Sequence, residues 1–197
     1  MTGPLLLFNP WLVSAEQARH EVAATLGTDQ AGVDRVTAPM LLDLFRNGDF
    51  AESLDGKAPI LDAAERSHMR DVGGLVRVLA LLEVVALVIL VLAGRRLRDE
   101  RERRGRLLLA AAVGIGVAAV VLGVFFAVAF DTAFAAFHAL FFKAGTWQFA
   151  ADSNLIRLFP EPFWFELSLL AGVSIVVGAG IAAWLARRDL ASQPASA

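Results

Sequence analysis

The sequence contains no cysteine and no tyrosine, and it has only three histidines. Without cysteine, the chain forms no disulfide, no thiol nucleophile and no cysteine-ligated zinc site. Without tyrosine, acid–base chemistry falls to histidine, the carboxylates, lysine and arginine. The formal net charge is only −2, which argues against a broad nucleic-acid-binding surface. These absences exclude several common enzyme classes and direct attention to the histidines.

Long apolar runs are what the sequence has instead. Hydrophobic residues make up 57% of the chain and the mean hydropathy is +0.59, which is typical of a membrane protein. Three segments are long enough to cross a hydrocarbon core of about 30 Å as helices: 75–93, 107–130 and 164–186. Arg77 and Glu83 interrupt the first segment. We expect Arg77 to snorkel towards the interface, and Glu83 to bond to a neighbouring helix or, alternatively, to have a functional role.

Arginine predicts the orientation of the three segments. The link 94–106 contains seven arginines, and Arg187 and Arg188 follow the third segment. Short loops this basic are retained in the cytoplasm. The link and the tail 187–197 are therefore predicted to be cytoplasmic, with the last residues, 192–197, disordered. Residues 14–74 are predicted to form an extracytoplasmic helical cap, and 131–163 an aromatic segment on the same side.

The N-terminal stretch 1–13 is apolar but too short to span a membrane. We interpret it as the remnant of a first transmembrane helix from a four-helix parent; the alternative is a tail translocated without help. The predicted fold is an all-α polytopic membrane protein. It has three complete transmembrane helices, a truncated first one and a small cap that includes short strands at most.

Within the cap, Ser14 is predicted to cap an amphipathic helix that ends near Gly27. His20 lies on the polar flank of this helix and is predicted to be solvated. Ile60 and Leu61 give a weak signal for a short strand. A helix capped by Asp62 is then predicted to run into the first span, kinked at most at 73–74.

Two histidines stand close to predicted spans on the same side of the membrane. His68 lies about two turns before the first span, and His138 continues an aromatic helical series beyond the second. Asp71 follows His68 at i+3 and is placed to pair with it. With Asp71, Glu161 and Glu166 nearby, a metal site is an alternative. The sequence has no clustered ligand spacing, so no metal and no cofactor are predicted.

The motifs ERSHMRDV, FHALFF, a following tryptophan and LIRLFPEPFW together resemble the lipoprotein intramolecular transacylase family of bacterial integral membrane proteins. The resemblance covers roughly 5–186. It implies a four-helix membrane core with an extracytoplasmic cap. The implied enzyme moves the sn-2 acyl chain of a diacylglyceryl-modified N-terminal cysteine to that cysteine's own α-amine, giving a lyso-form lipoprotein.

The resemblance also implies roles for particular residues. His68 and His138 stand at the family's two catalytic histidines. The supporting residues are Asp71, Arg70, Trp147 and Glu161, with Arg70 and Trp147 as candidate oxyanion donors. An acyl-chain groove would be walled by Phe134, Phe137, Phe141 and Phe142. The implied partners are a diacylglyceryl lipoprotein and membrane lipids, with the active site facing outward from the cell membrane.

Two other functions fit the same histidines. One is a different membrane lipid esterase or a metal-dependent hydrolase. The other is a lipid-binding or assembly protein without catalysis.

Overall fold

The computed structural model describes residues 7–191, which form helices and connecting loops and no β-strand. The helices are α1 Pro10–Arg19, α2 Val22–Leu26, α3 Gln30–Arg46, α4 Ala63–Arg96, α5 Arg101–Val128, α6 Phe130–Phe141, α7 Asn154–Leu158 and α8 Glu161–Ala191. The all-α fold with three membrane-length helices is therefore confirmed. The predicted disordered tail 192–197, and residues 1–6 of the predicted helix remnant, lie outside the described residues.

The first helix begins earlier than predicted. Its N-cap is Asn9, whose side chain accepts a hydrogen bond from the Trp11 amide at 2.9 Å, and Pro10 occupies the first helical position. An asparagine cap followed by proline is a strong helix start, since proline has no N–H to leave unpaired. Ser14 is therefore inside α1, and the predicted cap at Ser14 is wrong.

The chain divides into two compact units. The described parts of Met1–Leu82 and of Asp131–Leu167 form the first, and those of Glu83–Phe130 and Ser168–Ala197 form the second. In the first unit, α1 and α3 pack around a core of buried aliphatic and aromatic side chains. Gln17 is fully buried there and donates to Thr37 Oγ1 at 3.2 Å and to the Leu158 carbonyl at 3.0 Å. These two bonds join α1 to α3 and to α7.

The second unit consists of apolar helix segments. Helices α4, α5 and α8 are long and apolar enough to cross a membrane, and most of their leucine and valine side chains are exposed. A Cβ on Gly116 would lie 3.4 Å from the Ala179 Cβ, and one on Gly172 would lie 4.0 Å from the Gly123 Cα. Small residues thus let α5 and α8 approach closely, as is common between helices in lipid.

The predicted strand at Ile60 and Leu61 does not form. Both side chains are buried, which explains their apolar character. The Ile60 amide donates to the Glu52 carbonyl at 2.8 Å, and the Ile60 carbonyl accepts from Asn154 Nδ2 at 2.7 Å. A loop and one side chain satisfy this backbone, so no second strand is needed to pair with it.

Arg77 extends from α4 to the end of α3, and its predicted snorkelling towards the membrane interface stays a prediction. Its guanidinium donates to the Leu44 carbonyl at 3.0 Å and to Asn47 Oδ1 at 2.9 Å, at the C-terminal end of α3. A cation there satisfies orphan carbonyls and suits the negative end of the helix dipole. Helix α4 is continuous through 73–74, and a Cβ on Gly73 would lie 3.2 Å from the Leu44 carbonyl oxygen. Gly73 therefore allows α3 to pack closely against α4, and it does not kink the helix.

Glu83 is half-buried in α4. Within residues 7–191 it forms neither a hydrogen bond nor an ion pair. The predicted bond to a neighbouring helix is therefore wrong for the part of the chain that is described.

Candidate active site

His68 on α4 and His138 on α6 come together in the first unit. Their ring centroids are 5.9 Å apart, with the ring planes 27° from parallel. The two residues are only 6% and 8% exposed, respectively. This separation lets one small reacting group contact both imidazoles. His68 lies seven residues before the predicted span 75–93, and α6 is shorter than the helices that could cross a membrane. Both rings therefore lie outside the spans predicted from the sequence.

A capping box fixes the start of α4. Asp62 Oδ1 accepts from the amides of Ala64 and Glu65, both at 2.8 Å, and Glu65 Oε2 accepts from the Asp62 amide at 2.7 Å. The second oxygen, Glu65 Oε1, accepts from the Leu155 amide of α7 at 2.9 Å. Glu65 is 2% exposed. The carboxylate one turn before His68 thus ties α4 to α7 and holds the histidine's helix in place.

Aromatic rings enclose both histidines. His138 has Phe134 at 4.1 Å and Trp147 at 4.8 Å between ring centroids. His68 has Phe142 at 5.0 Å and Phe149 at 5.6 Å. Phe142 also lies 5.4 Å from His138 and so contacts both imidazoles. The enclosure removes water from around the two rings.

The hydrogen bonds of the two rings differ. His138 Nδ1 lies 2.8 Å from the Phe134 carbonyl oxygen. A carbonyl can only accept, so Nδ1 donates and, in the neutral ring, Nε2 keeps its lone pair. His68 Nδ1 is buried with no hydrogen-bond partner within residues 7–191.

Burial favours the neutral form of both imidazoles. It lowers the pKa of His68 from 6.5 to about 4; the nearby His138 adds to the effect and the charge of Asp71 opposes it. Burial also lowers the pKa of His138, against the opposing hydrogen bond to the Phe134 carbonyl. In an apolar pocket the charged imidazolium loses its hydration, which is the physical cause in each case. Both rings are therefore neutral at pH 7.

The predicted pairing of His68 with Asp71 is not made. Asp71 is exposed and forms no hydrogen bond within the described chain, while His68 is buried. The i+3 spacing brings two residues to neighbouring positions on a helix. Here the buried face of α4 takes His68 and leaves Asp71 on the open side, where it acts only through its charge.

Of the other predicted supporting residues, one lies at the histidine pair and two do not. Trp147 stacks against His138 with the ring planes 34° apart. Arg70 and Glu161 are exposed, and neither forms a hydrogen bond or ion pair within residues 7–191. The structure therefore brings Trp147 to the histidine pair and does not bring these two.

The phenylalanines predicted to wall a lipid groove lie on two sides of α6. Phe142 is 9% exposed and Phe134 is half-buried against His138. Phe137 and Phe141 are 38% and 47% exposed, with ring centroids 4.9 Å apart. An apolar surface therefore runs from the outside of α6 to the ring of His138.

Two residues of this site were missed from the sequence. Phe149 sits in a loop without periodicity, so nothing marks it. Glu65 stands three residues after Asp62, which is the spacing of a capping box. That signal was present, although the second bond, to Leu155, cannot be read from it.

His20 is not solvated, contrary to the prediction. Its side chain is 17% exposed, and Nε2 lies 3.5 Å from Glu166 Oε1 and 3.9 Å from Glu16 Oε2. The polar flank of α1 faces the first turns of α8 and not water. Burial raises the pKa of Glu16, and the neighbouring Glu166 carboxyl group adds to this rise.

Comparison with known proteins gives one family and one fold. The family model described as lipoprotein intramolecular transacylase Lit matches residues 4–164. The solved structure of the membrane integral lipoprotein intramolecular transacylase Lit from Bacillus cereus aligns with a TM-score of 0.83 at 19% identity, over 95% of this chain and 86% of that chain. Structures of two variants of that protein, with one histidine replaced by arginine or by alanine, align with TM-scores of 0.76 and 0.77. Both are 19% identical to this chain, and the alignments cover 95% of this chain and 82% and 84% of the respective variant chains. No curated protein sequence matches.

Proposed function

The chain belongs to the lipoprotein intramolecular transacylase family, and we propose that His68 and His138 carry out its acyl transfer. The observation that supports this is the pairing of two neutral, buried imidazoles 5.9 Å apart inside an aromatic wall. The substrate is a lipoprotein whose N-terminal cysteine bears a diacylglyceryl group. Its sn-2 acyl chain moves to the α-amine of the same cysteine.

The reaction balances without a cofactor. The α-amine nitrogen attacks the sn-2 ester carbonyl, a C–N bond forms and the ester C–O bond breaks. The nitrogen loses one proton and the glycerol oxygen gains one, so no proton is consumed overall. Nucleophile and ester belong to one molecule, and well-oriented intramolecular reactions reach effective molarities on the order of 10⁵ M or more. The enzyme's task is to orient the two groups and to move the proton.

His138 is the general base in this proposal. Its Nδ1 is committed to the Phe134 carbonyl, so Nε2 is the nitrogen free to accept the amine proton. A lowered pKa keeps this nitrogen unprotonated at neutral pH. The hydrogen bond at Nδ1 stabilises the imidazolium once it forms, as an orienting acceptor does for a catalytic histidine.

His68 faces the departing oxygen in this proposal. With a pKa of about 4 it is neutral, and a neutral imidazole has one N–H to donate. A neutral histidine can polarise a carbonyl through such a donor. We assign to His68 a hydrogen bond to the ester oxygens. His138 then delivers the proton that it took from the amine to the glycerol oxygen.

The apolar surface of α6 supports the assignment of the substrate's lipid. Phe137 and Phe141 are exposed next to Phe142, which contacts both histidines. Acyl chains lying on these rings would bring their ester to the imidazoles. The arginine-rich link 94–106 supports an extracytoplasmic active site, because such links stay inside.

Mass spectrometry of a reporter lipoprotein tests the proposal. The N-terminal peptide is analysed from cells lacking the enzyme and cells expressing wild type, His68→Asn, His138→Asn or, as a control beside His68, Ser67→Ala. We expect an N-acyl, S-monoacylglyceryl cysteine with wild type and with Ser67→Ala. Each histidine variant should form this product about 10²–10⁴-fold more slowly.

Two results would contradict the proposal. One is full product from both histidine variants at wild-type protein levels. The other is release of free fatty acid with an unmodified amine, which would make the chain an esterase.

A further inference from the structure

A second titratable cluster lies outside the histidine pair. Glu16 is in the last turn of α1, His20 is the C-cap residue of that helix, and Glu166 is in the first turns of α8. One ligand atom from each of the three lies within 4.8 Å of the others. The cluster shares no residue with the proposed active site.

Arg19 binds one side of both carboxylates. Its Nη1 lies 3.5 Å from Glu16 Oε1 and its Nη2 lies 3.1 Å from Glu166 Oε2. The remaining oxygens, Glu16 Oε2 and Glu166 Oε1, both face His20 Nε2, at 3.9 and 3.5 Å. The arginine thus orients the carboxylates and leaves one nitrogen and two oxygens converging.

Two of these converging atoms are buried and have no hydrogen-bond partner among residues 7–191. They are Glu16 Oε2 and His20 Nε2, and Glu16 as a whole is 8% exposed. Buried polar atoms are nearly always satisfied, so an orphaned pair aimed at one point calls for a partner. A cation between them would satisfy both.

We propose that Glu16, His20 and Glu166 bind a divalent transition-metal ion of the zinc class. Such ions take histidine nitrogen and carboxylate oxygen at about 2.0–2.2 Å, and tetrahedral geometry then separates neighbouring ligand atoms by about 3.4 Å. The distances of 3.5 and 3.9 Å from His20 Nε2 are close to that value. Two carboxylates outnumber the single guanidinium, so the local charge also attracts a cation.

The ion would tie the C-terminal turn of α1 to the start of α8. The side chains of His20 and Glu166 are 17% and 31% exposed, so the fourth coordination position faces solvent and takes water. The site is structural in this proposal and does not depend on acyl transfer.

Metal titration of the purified full-length protein in detergent tests the inference. The protein is stripped with EDTA, and Zn²⁺ binding is followed by calorimetry and by the shift in melting temperature. We expect one ion per chain, no comparable binding of Ca²⁺, and at least about 100-fold weaker Zn²⁺ affinity in Glu16→Gln and His20→Ala. Glu21→Gln makes the same change on the exposed residue beside His20 and should bind like wild type.

The His68→Asn variant should also bind Zn²⁺ like wild type. Absence of stoichiometric binding, or wild-type affinity in Glu16→Gln, would overturn the proposal. If those variants do not fold, X-ray absorption of the zinc-loaded wild type decides. One imidazole with oxygen ligands supports the site, and two imidazoles would place the ion elsewhere.

Discussion

Acidification from pH 7 to pH 5 should destabilise the protein through His68. Burial holds the pKa of this imidazole at about 4, against 6.5 in an unfolded chain. The folded state therefore resists a proton that the unfolded state takes up readily. The stability that comes from keeping His68 neutral is fully present above pH 6.5, and it is lost as the pH falls from 6.5 towards 4.

The size of the effect follows from the shift. Each unit of difference between the folded and unfolded pKa corresponds to about 1.4 kcal/mol of unfolding free energy. Between pH 7 and pH 5, most of the loss of stability occurs below pH 6.5. Linkage then gives a loss of about 2 kcal/mol over this interval. For a chain of this length it corresponds to a fall in melting temperature of roughly 4–8 °C.

His68→Asn provides the comparison, because it removes the titrating ring. We expect the wild type to lose roughly 4–8 °C more than His68→Asn between pH 7 and pH 5, in matched detergent. Ring-labelled histidine provides a direct readout by NMR, since the chain has only three histidines. The signal that disappears in His68→Asn should not titrate above pH 5. A midpoint near 6.5 for that signal, or equal losses in both proteins, would refute the burial argument.

Three further results are expected. Glu65→Ala leaves the buried Leu155 amide and the part-buried Asp62 amide without an acceptor and should cost about 1–3 kcal/mol in thermal unfolding; Glu65→Gln should cost less, and equal losses would contradict the capping role. Trp147→Ala exposes one face of His138, so the pKa of His138 should rise towards its ordinary value in the NMR titration, and an unchanged midpoint would contradict shielding by Trp147. Arg77→Met removes the bond to the Leu44 carbonyl and should cost about 1–3 kcal/mol; wild-type stability would show that this contact adds nothing.

Periodicity and length predicted the helices that carry the two histidines. The apolar runs are long enough that only membrane helices fit them, and the i, i+4 aromatic series at 134–141 marks α6. What these patterns cannot give is which face of a helix meets another segment. His68 and Asp71 differ by three positions, yet one is buried and the other exposed.

Two of the wrong predictions, those for His20 and Ile60, share one cause. Each residue was assigned from its own segment, and each finds its partner far along the chain. Glu166 meets His20, and Asn154 meets the Ile60 carbonyl. Local spacing reports the neighbours on one helix, whereas these contacts depend on how separate helices pack.

An aromatic enclosure answers a specific difficulty of amine acylation. The proposed base, His138 Nε2, could activate water as well as an amine, and water would turn acyl transfer into hydrolysis. The rings of Phe134, Phe142 and Trp147 pack against the imidazole and leave little room for water. The same burial lowers the histidine pKa, so the base stays unprotonated where the amine must lose its proton. Exclusion of water would therefore favour acyl transfer over hydrolysis and keep the proposed base unprotonated. The reaction then requires no serine or thiol nucleophile.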